Sequence, residues 1–182
     1  MLAEGLHNSG SFDWGELLEF QRVLILAQGG IGKTREMEEQ AAQLIAKGDA
    51  AFFVPLEVLS NGRLNEILEP DSLERFDAWL NDPVKPGWFF LDSVDELKLA
   101  DGTLENALRQ FSKSLGRDAM RRARIFLTCR PKDWSETIDK RAVEKWLKIP
   151  PKTSGMKLSA EAEFTSGIKS GDDLDEGDQR ND

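Results

Sequence analysis

The feature that most constrains the fold is a glycine-rich segment between an apolar run and an amphipathic run. Residues 23–27 read VLILA, a continuous aliphatic stretch of the kind that a parallel strand buried on both faces requires. Directly after the glycine-rich segment, Met37, Ala41 and Leu44 recur at helical spacing, and Gly48 follows where such a helix would end. The order of strand, tight loop and helix predicts the first unit of an α/β fold.

The same alternation continues up to residue 150. Further apolar stretches bounded by turn residues predict strands at 51–56, 88–91, 125–129 and, with a weaker pattern, 146–149. Amphipathic stretches predict helices at 64–68, 72–80 and 103–115, the last of them closed by Gly116. The sequence therefore predicts an α/β protein of three layers, in which helices flank a mostly parallel sheet of about five strands.

Composition separates three regions: a lead-in over 1–19, the α/β domain over 20–150 and a tail over 151–182. The tail holds 8 acidic and 4 basic residues, which predicts an acidic, disordered segment. No apolar run approaches the roughly twenty residues of a membrane helix and no secretory signal opens the chain, so we expect a cytoplasmic protein without a membrane partner. The formal net charge of -9 disfavours nucleic acid as a partner.

The glycine-rich segment has the pattern of a phosphate-binding loop. Residues 27–34 read AQGGIGKT, which matches G-x-x-x-x-G-K-T with alanine in the first place. In such a loop, glycines let the backbone N–H groups approach phosphate oxygens closely, and the next helix offers its positive end. We expect Lys33 to reach the β- and γ-phosphates and Thr34 to place its hydroxyl on Mg²⁺. The residues expected to contact the nucleotide are Gly29, Gly30, Ile31, Gly32, Lys33 and Thr34.

Three carboxylates follow the predicted strand at 88–91. Asp92 comes directly after this strand, at the sheet edge where ligands bind in open α/β folds, and we expect it to hold Mg²⁺ opposite Thr34. One cysteine and one histidine cannot form an internal disulfide or an ordinary zinc site, so a metal requires oxygen ligands. Asp95 or Glu96 is predicted to polarise the attacking water as general base, with Glu96 preferred. The alternative is a solvated acidic loop.

A single arginine follows the predicted strand at 125–129. Arg130 is expected to face the same crevice, where a guanidinium can contact the γ-phosphate and respond to its presence. The alternative is an exposed loop arginine.

These segments resemble motifs of a known family. The loop at 27–34, the segment LDSVDE at 91–96 and the segment TCRP at 128–131 are similar to the Walker A, extended Walker B and sensor 1 motifs of NACHT-type NTPases. That family belongs to the STAND branch of the AAA+-related P-loop ATPases, and the resemblance covers roughly residues 20–150. It implies a P-loop NTPase core and ATP or ADP with Mg²⁺ as cofactors. It assigns the sensor role to Arg130.

The resemblance also implies slow ATP hydrolysis that controls conformation or self-assembly. The sequence contains no counterparts of the family's winged-helix and C-terminal sensor regions, so we expect a shortened protein, a fragment of a longer one, or a partner chain that supplies these regions. Two other functions stay open: a nucleotide-binding interaction module that does not hydrolyse, and a small-molecule phosphotransferase. The guanine-specifying pattern N-K-x-D is absent, which favours adenine.

Overall fold

The computed structural model describes residues 2–3, 14–100, 102–148 and 155–159. The strands are β1 (Leu2–Ala3), β2 (Arg22–Leu26), β3 (Ala50–Pro55), β4 (Gly87–Asp92), β5 (Ala123–Cys129) and β6 (Gly155–Ser159). The helices are α1 (Trp14–Leu17), α2 (Lys33–Ala46), α3 (Leu56–Leu59), α4 (Leu64–Ile67), α5 (Pro70–Asn81), α6 (Val94–Leu99), α7 (Leu104–Arg122) and α8 (Asp139–Trp146).

Four parallel strands flanked by helices form the centre of the domain, in the order β2-β5-β4-β3. The backbone of β6 runs parallel to β2 on its outer side, and that of β1 runs parallel to β6. The α/β class, the four main strands and the helix after the glycine-rich loop are thus confirmed. Most of the predicted tail lies outside the described residues, as does most of the lead-in.

One detail of the predicted element order is wrong. Trp146 ends α8, and Leu147 and Lys148 lie outside any strand, so the described part of 146–149 is not a strand. Val143 and Leu147 are both buried and stand one helical turn apart, so these apolar residues belong to a helical face rather than to an alternating strand. The helix predicted at 103–115 ends at Gly116 as expected, with non-helical backbone at φ 71° and ψ -178°, and a second helical stretch that was not predicted continues α7 to Arg122.

Side chains from the strands build two separate cores, one on each face of the sheet. Val23, Phe90 and Phe126 pack with residues of α2 on one face. Phe89 and Ile125, one position away on the same strands, pack among the later helices on the opposite face. Burial on both faces explains why the strands are continuous apolar runs. In the described part of the chain, no helix is both long and apolar enough to cross a membrane.

The strand register brings the ends of three strands together at one edge. Leu26 of β2 is paired with Cys129 of β5, and Leu91 of β4 is paired with Leu127 of β5. The chain leaves β2 towards α2 on one face of the sheet, whereas the connections after β4 and β5 run to helices on the other face. In open α/β sheets, ligands bind at the carboxyl ends of the strands, where connections diverge in this way.

Candidate functional site

The loop between β2 and α2 keeps the conformation that its glycines allow. Gly30 and Gly32 have φ values of 81° and 87°, a region that residues with a Cβ atom rarely adopt. The backbone N–H groups of Gly29, Gly30 and Gly32 donate no hydrogen bond within the described chain. Ile31 is 42% exposed on the same loop. Consecutive free N–H groups of this kind form a concavity suited to an anion.

Lys33 begins α2 and closes the loop on itself. Its Nζ donates to the carbonyl oxygens of Ala27 at 2.8 Å and Gln28 at 2.9 Å. An ammonium group has three N–H donors, so one remains for a ligand. The positive end of the 14-residue helix α2 lies at the same loop and adds to its attraction for anions.

Asp92, at the end of β4, is a buried carboxylate surrounded by hydroxyl groups. It is 3% exposed, and its Oδ2 accepts hydrogen bonds from Thr34 Oγ1 at 2.7 Å and Ser93 Oγ at 3.0 Å. Its Oδ1 accepts a hydrogen bond from Thr128 Oγ1. No cationic side chain of the described residues forms an ion pair with it. Burying a charge without a counter-charge is costly, so a cation beside Asp92 would be favourable.

The residue after Asp92 has an unusual backbone. Ser93 has φ 66° and ψ 61°, and among the described residues it is the one non-glycine residue with positive φ. Its N–H donates to Thr128 Oγ1 at 2.9 Å, and its hydroxyl donates to Asp92. These two hydrogen bonds hold the left-handed conformation, which is unfavourable for a residue with a Cβ atom. Strained backbone of this kind is concentrated at functional sites.

Arg130 lies between Asp95 and the glycine-rich loop. Its Nε forms an ion pair with Asp95 Oδ2 at 2.7 Å, and Asp95 is buried. A Cβ atom added to Gly29 would lie 3.3 Å from the Cζ and Nε atoms of Arg130, so the guanidinium rests directly on the loop. Its terminal nitrogens make no hydrogen bond within the described residues, and they remain available to an anion.

The two candidate general bases differ in their surroundings. Asp95 is held by Arg130, as described above. Glu96, also in the first turn of α6, is exposed, and its side chain makes no hydrogen bond or ion pair in the described chain. Glu96 is therefore the carboxylate that can accept a proton from water without breaking an ion pair.

The oxygen donors at this edge fit a hard divalent cation. Within the described residues, no group of three or more His, Cys, Asp and Glu side chains could hold a metal ion. Thr34 and Asp92 nevertheless place a hydroxyl and a carboxylate 2.7 Å apart, beside a loop with free N–H groups. Mg²⁺ is typically held by one or two protein oxygens and completes its coordination with water and phosphate oxygens. The uncompensated charge of Asp92 agrees with such an ion.

Cys129 and the segment after Arg130 have structural roles. Cys129 is fully buried, and burial raises the pKa of its thiol to about 12, so it stays protonated at neutral pH.

Lys98 donates to the carbonyl oxygen of Asp133 at 2.6 Å and pairs with the buried carboxylate of Asp139 at 2.5 Å. This ion pair fixes α6 against the segment that follows Arg130.

The structure thus brings together the loop, Thr34, Asp92 and Arg130, and it pairs Arg130 with Asp95. Ser93 and Thr128 also belong to the site, although neither was predicted to contribute and both lie within the quoted motifs. A hydroxyl residue two positions before Arg130 was the signal that could have identified Thr128. No family model matches the chain, and a search of curated proteins finds no match.

Proposed function

We propose that the chain is a Mg²⁺-dependent, ATP-binding P-loop NTPase domain of the NACHT/STAND type, in which bound nucleotide controls conformation or assembly. In this proposal the sheet is the core of a P-loop NTPase, with β6 as its fifth parallel strand. The observation that carries the proposal is the loop with free N–H groups, whose next helix places Thr34 against the uncompensated carboxylate of Asp92.

Each residue of the site has a role in this proposal. The backbone N–H groups of Gly29, Gly30 and Gly32 donate to phosphate oxygens. The remaining N–H of the Lys33 side-chain ammonium donates to the β- and γ-phosphates. Thr34 and Asp92 hold Mg²⁺, which neutralises phosphate charge when it is bound.

The side chains after β4 and β5 complete the site. The free terminal nitrogens of Arg130 contact the γ-phosphate, and its Nε keeps the ion pair with Asp95 Oδ2. Glu96 polarises the attacking water, because its carboxylate is not engaged elsewhere among the described residues. In hydrolysis the water oxygen bonds to the γ-phosphorus, Glu96 takes the proton of the water, and the bond from that phosphorus to the β,γ-bridging oxygen breaks, which gives ADP and inorganic phosphate. Lys33, Arg130 and the free N–H groups of the loop suit a polyphosphate. The partners in this proposal are a second copy of the chain, or another chain that supplies the missing C-terminal regions.

Calorimetric titration with Mg²⁺·ATP and Mg²⁺·ADP tests the proposal. We expect the wild type to bind both nucleotides and Lys33→Ala to bind neither, with its fold checked by circular dichroism. Lys47→Ala is the matched control, because Lys47 is an exposed lysine at the opposite end of the same helix. A folded wild type that binds no nucleotide, or a Lys33→Ala variant that binds as well as the wild type, would contradict the proposal.

Phosphate release distinguishes hydrolysis from binding alone. Multiple-turnover release by the wild type that is lost in Glu96→Gln, with nucleotide binding retained, identifies Glu96 as the base. Nucleotide binding without phosphate release indicates the interaction module. Transfer of phosphate to an added acceptor rather than to water indicates a phosphotransferase.

A further inference from the structure

One hydroxyl group, that of Thr128 at the end of β5, is shared by two residues of the neighbouring strand end. Thr128 is fully buried. Its Oγ1 accepts the backbone N–H of Ser93 at 2.9 Å and donates to Asp92 Oδ1. A hydroxyl has a single proton, so accepting the N–H of Ser93 leaves that proton for the carboxylate.

This hydrogen bond determines the orientation of the Asp92 carboxylate. The terminal torsion of an aspartate is broad, so a carboxylate held at one oxygen can rotate. Here Thr128 holds Oδ1, while Thr34 and Ser93 donate to Oδ2. With both oxygens held, Oδ2 remains directed at the hydroxyl of Thr34.

The tertiary structure produces this contact through the position of β5. This strand lies between β2 and β4, and its register pairs Leu127 with Leu91, one residue before Thr128 and Asp92. The remaining residues of β5 contribute no hydroxyl group. Thr128 is therefore the group on β5 that reaches Asp92.

We propose that Thr128 is a positioning residue that fixes the Asp92 carboxylate for a divalent cation and thereby sets the cation affinity of the nucleotide site. The inference rests on the proposed function, because it assigns the cation to Thr34 and Asp92. Thr128 itself does not contact the cation. Partners that orient metal ligands typically contribute 10- to 100-fold to metal affinity.

Thr128→Val tests the role of the hydroxyl, because valine keeps the branched shape and removes the donor. Mn²⁺ is the probe, since electron paramagnetic resonance counts the free ion directly. We expect Thr128→Val to weaken Mn²⁺ binding in the presence of ADP by about tenfold. ADP affinity measured in EDTA stays unchanged, because the loop is intact. Thr128→Ser keeps the hydroxyl and should restore the Mn²⁺ affinity of the wild type.

The controls separate a positioning role from a structural one. Thr137→Val removes a hydroxyl from an exposed threonine and should bind Mn²⁺ like the wild type. If Thr128→Val is unfolded by circular dichroism, Thr128→Ala provides the same comparison. Parallel losses of ADP affinity in EDTA and of Mn²⁺ affinity would indicate general damage and overturn the inference.

Two further outcomes have different meanings. If the wild type binds Mn²⁺ with ADP and a folded Thr128→Val variant binds both equally well, the role of Thr128 is overturned and the proposed function stands. A folded wild type that binds ADP neither with nor without Mn²⁺ overturns the proposed function, and the role of Thr128 with it.

Discussion

Arg22, at the start of β2, allows a quantitative test of what holds the domain together. Its side chain is 2% exposed and donates to the carbonyl oxygens of Leu147 at 3.1 Å, Met120 at 3.0 Å, Ala123 at 2.5 Å and Gln21 at 2.7 Å. Burial lowers the pKa of the guanidinium to about 10, which still leaves it charged at neutral pH. One side chain thus joins β2, the end of α7, β5 and the residue after α8.

Arg22→Met removes the donors and keeps a long side chain. The carbonyl oxygen of Gln21 keeps a second donor, the N–H of Ile125. The carbonyl oxygens of Leu147 and Met120 each lose the one hydrogen-bond donor that they have among the described residues. Two unsatisfied buried carbonyls cost about 2–6 kcal/mol. Methionine avoids the burial of a charge, which offsets part of this loss. We therefore expect a net loss of about 3 kcal/mol, a large share of the 5–15 kcal/mol typical of a domain.

Equilibrium unfolding in urea, followed by tryptophan fluorescence, measures this loss. With a slope of about 2 kcal/mol per molar urea, a loss of about 3 kcal/mol lowers the midpoint by about 1.5 M. Arg35→Met is the control, because Arg35 is 82% exposed and its i,i+4 ion pair with Glu39 contributes little. A midpoint for Arg22→Met within about 0.5 M of the control would refute the argument, because the carbonyls would then be satisfied in another way.

Two further predictions concern the site. Ser93→Gly and Ser93→Ala both lose the hydroxyl, but only glycine adopts the left-handed backbone without strain, so we expect the glycine variant to be more stable by about 1 kcal/mol in urea unfolding. If the alanine variant is the more stable one, this conformation is not strained. Gly29→Ala places a Cβ atom 3.3 Å from the guanidinium of Arg130, which must move away from the loop by a few tenths of an ångström, so we expect ATP affinity to fall by about tenfold, or about 1.4 kcal/mol, with the fold retained. Unchanged ATP affinity in calorimetry would show that Arg130 does not act on the ligand.

Much of the fold could be predicted from the sequence because the determining signals are local. A strand buried on both faces must be a continuous apolar run, so the four main strands were predictable from 23–27, 51–56, 88–91 and 125–129. The helix after the loop was predictable from the spacing of its apolar residues. The two left-handed glycines of the loop fall where the motif requires them.

The prediction of secondary structure failed where one sequence pattern is compatible with both a helix and a strand. The apolar residues near 146 form part of a helical face, and a short apolar run does not distinguish this from a strand. Gly116 does end the predicted helix, but the second helical stretch after it was not predicted. Ala119 and Met120 of that stretch bury their side chains in the core, and this packing favours the helix.

Local sequence patterns specify which chemical groups lie at the strand ends: the loop glycines, Lys33, Thr34 and the carboxylates after β4. The pairing of these groups depends on the tertiary structure. Asp95 rather than Glu96 binds Arg130, and Thr128 holds Asp92. These pairs join residues separated by more than 30 positions, and their distances depend on strand order and register. Register is set by the packing of whole strands against both cores, so no local pattern in the sequence specifies these contacts.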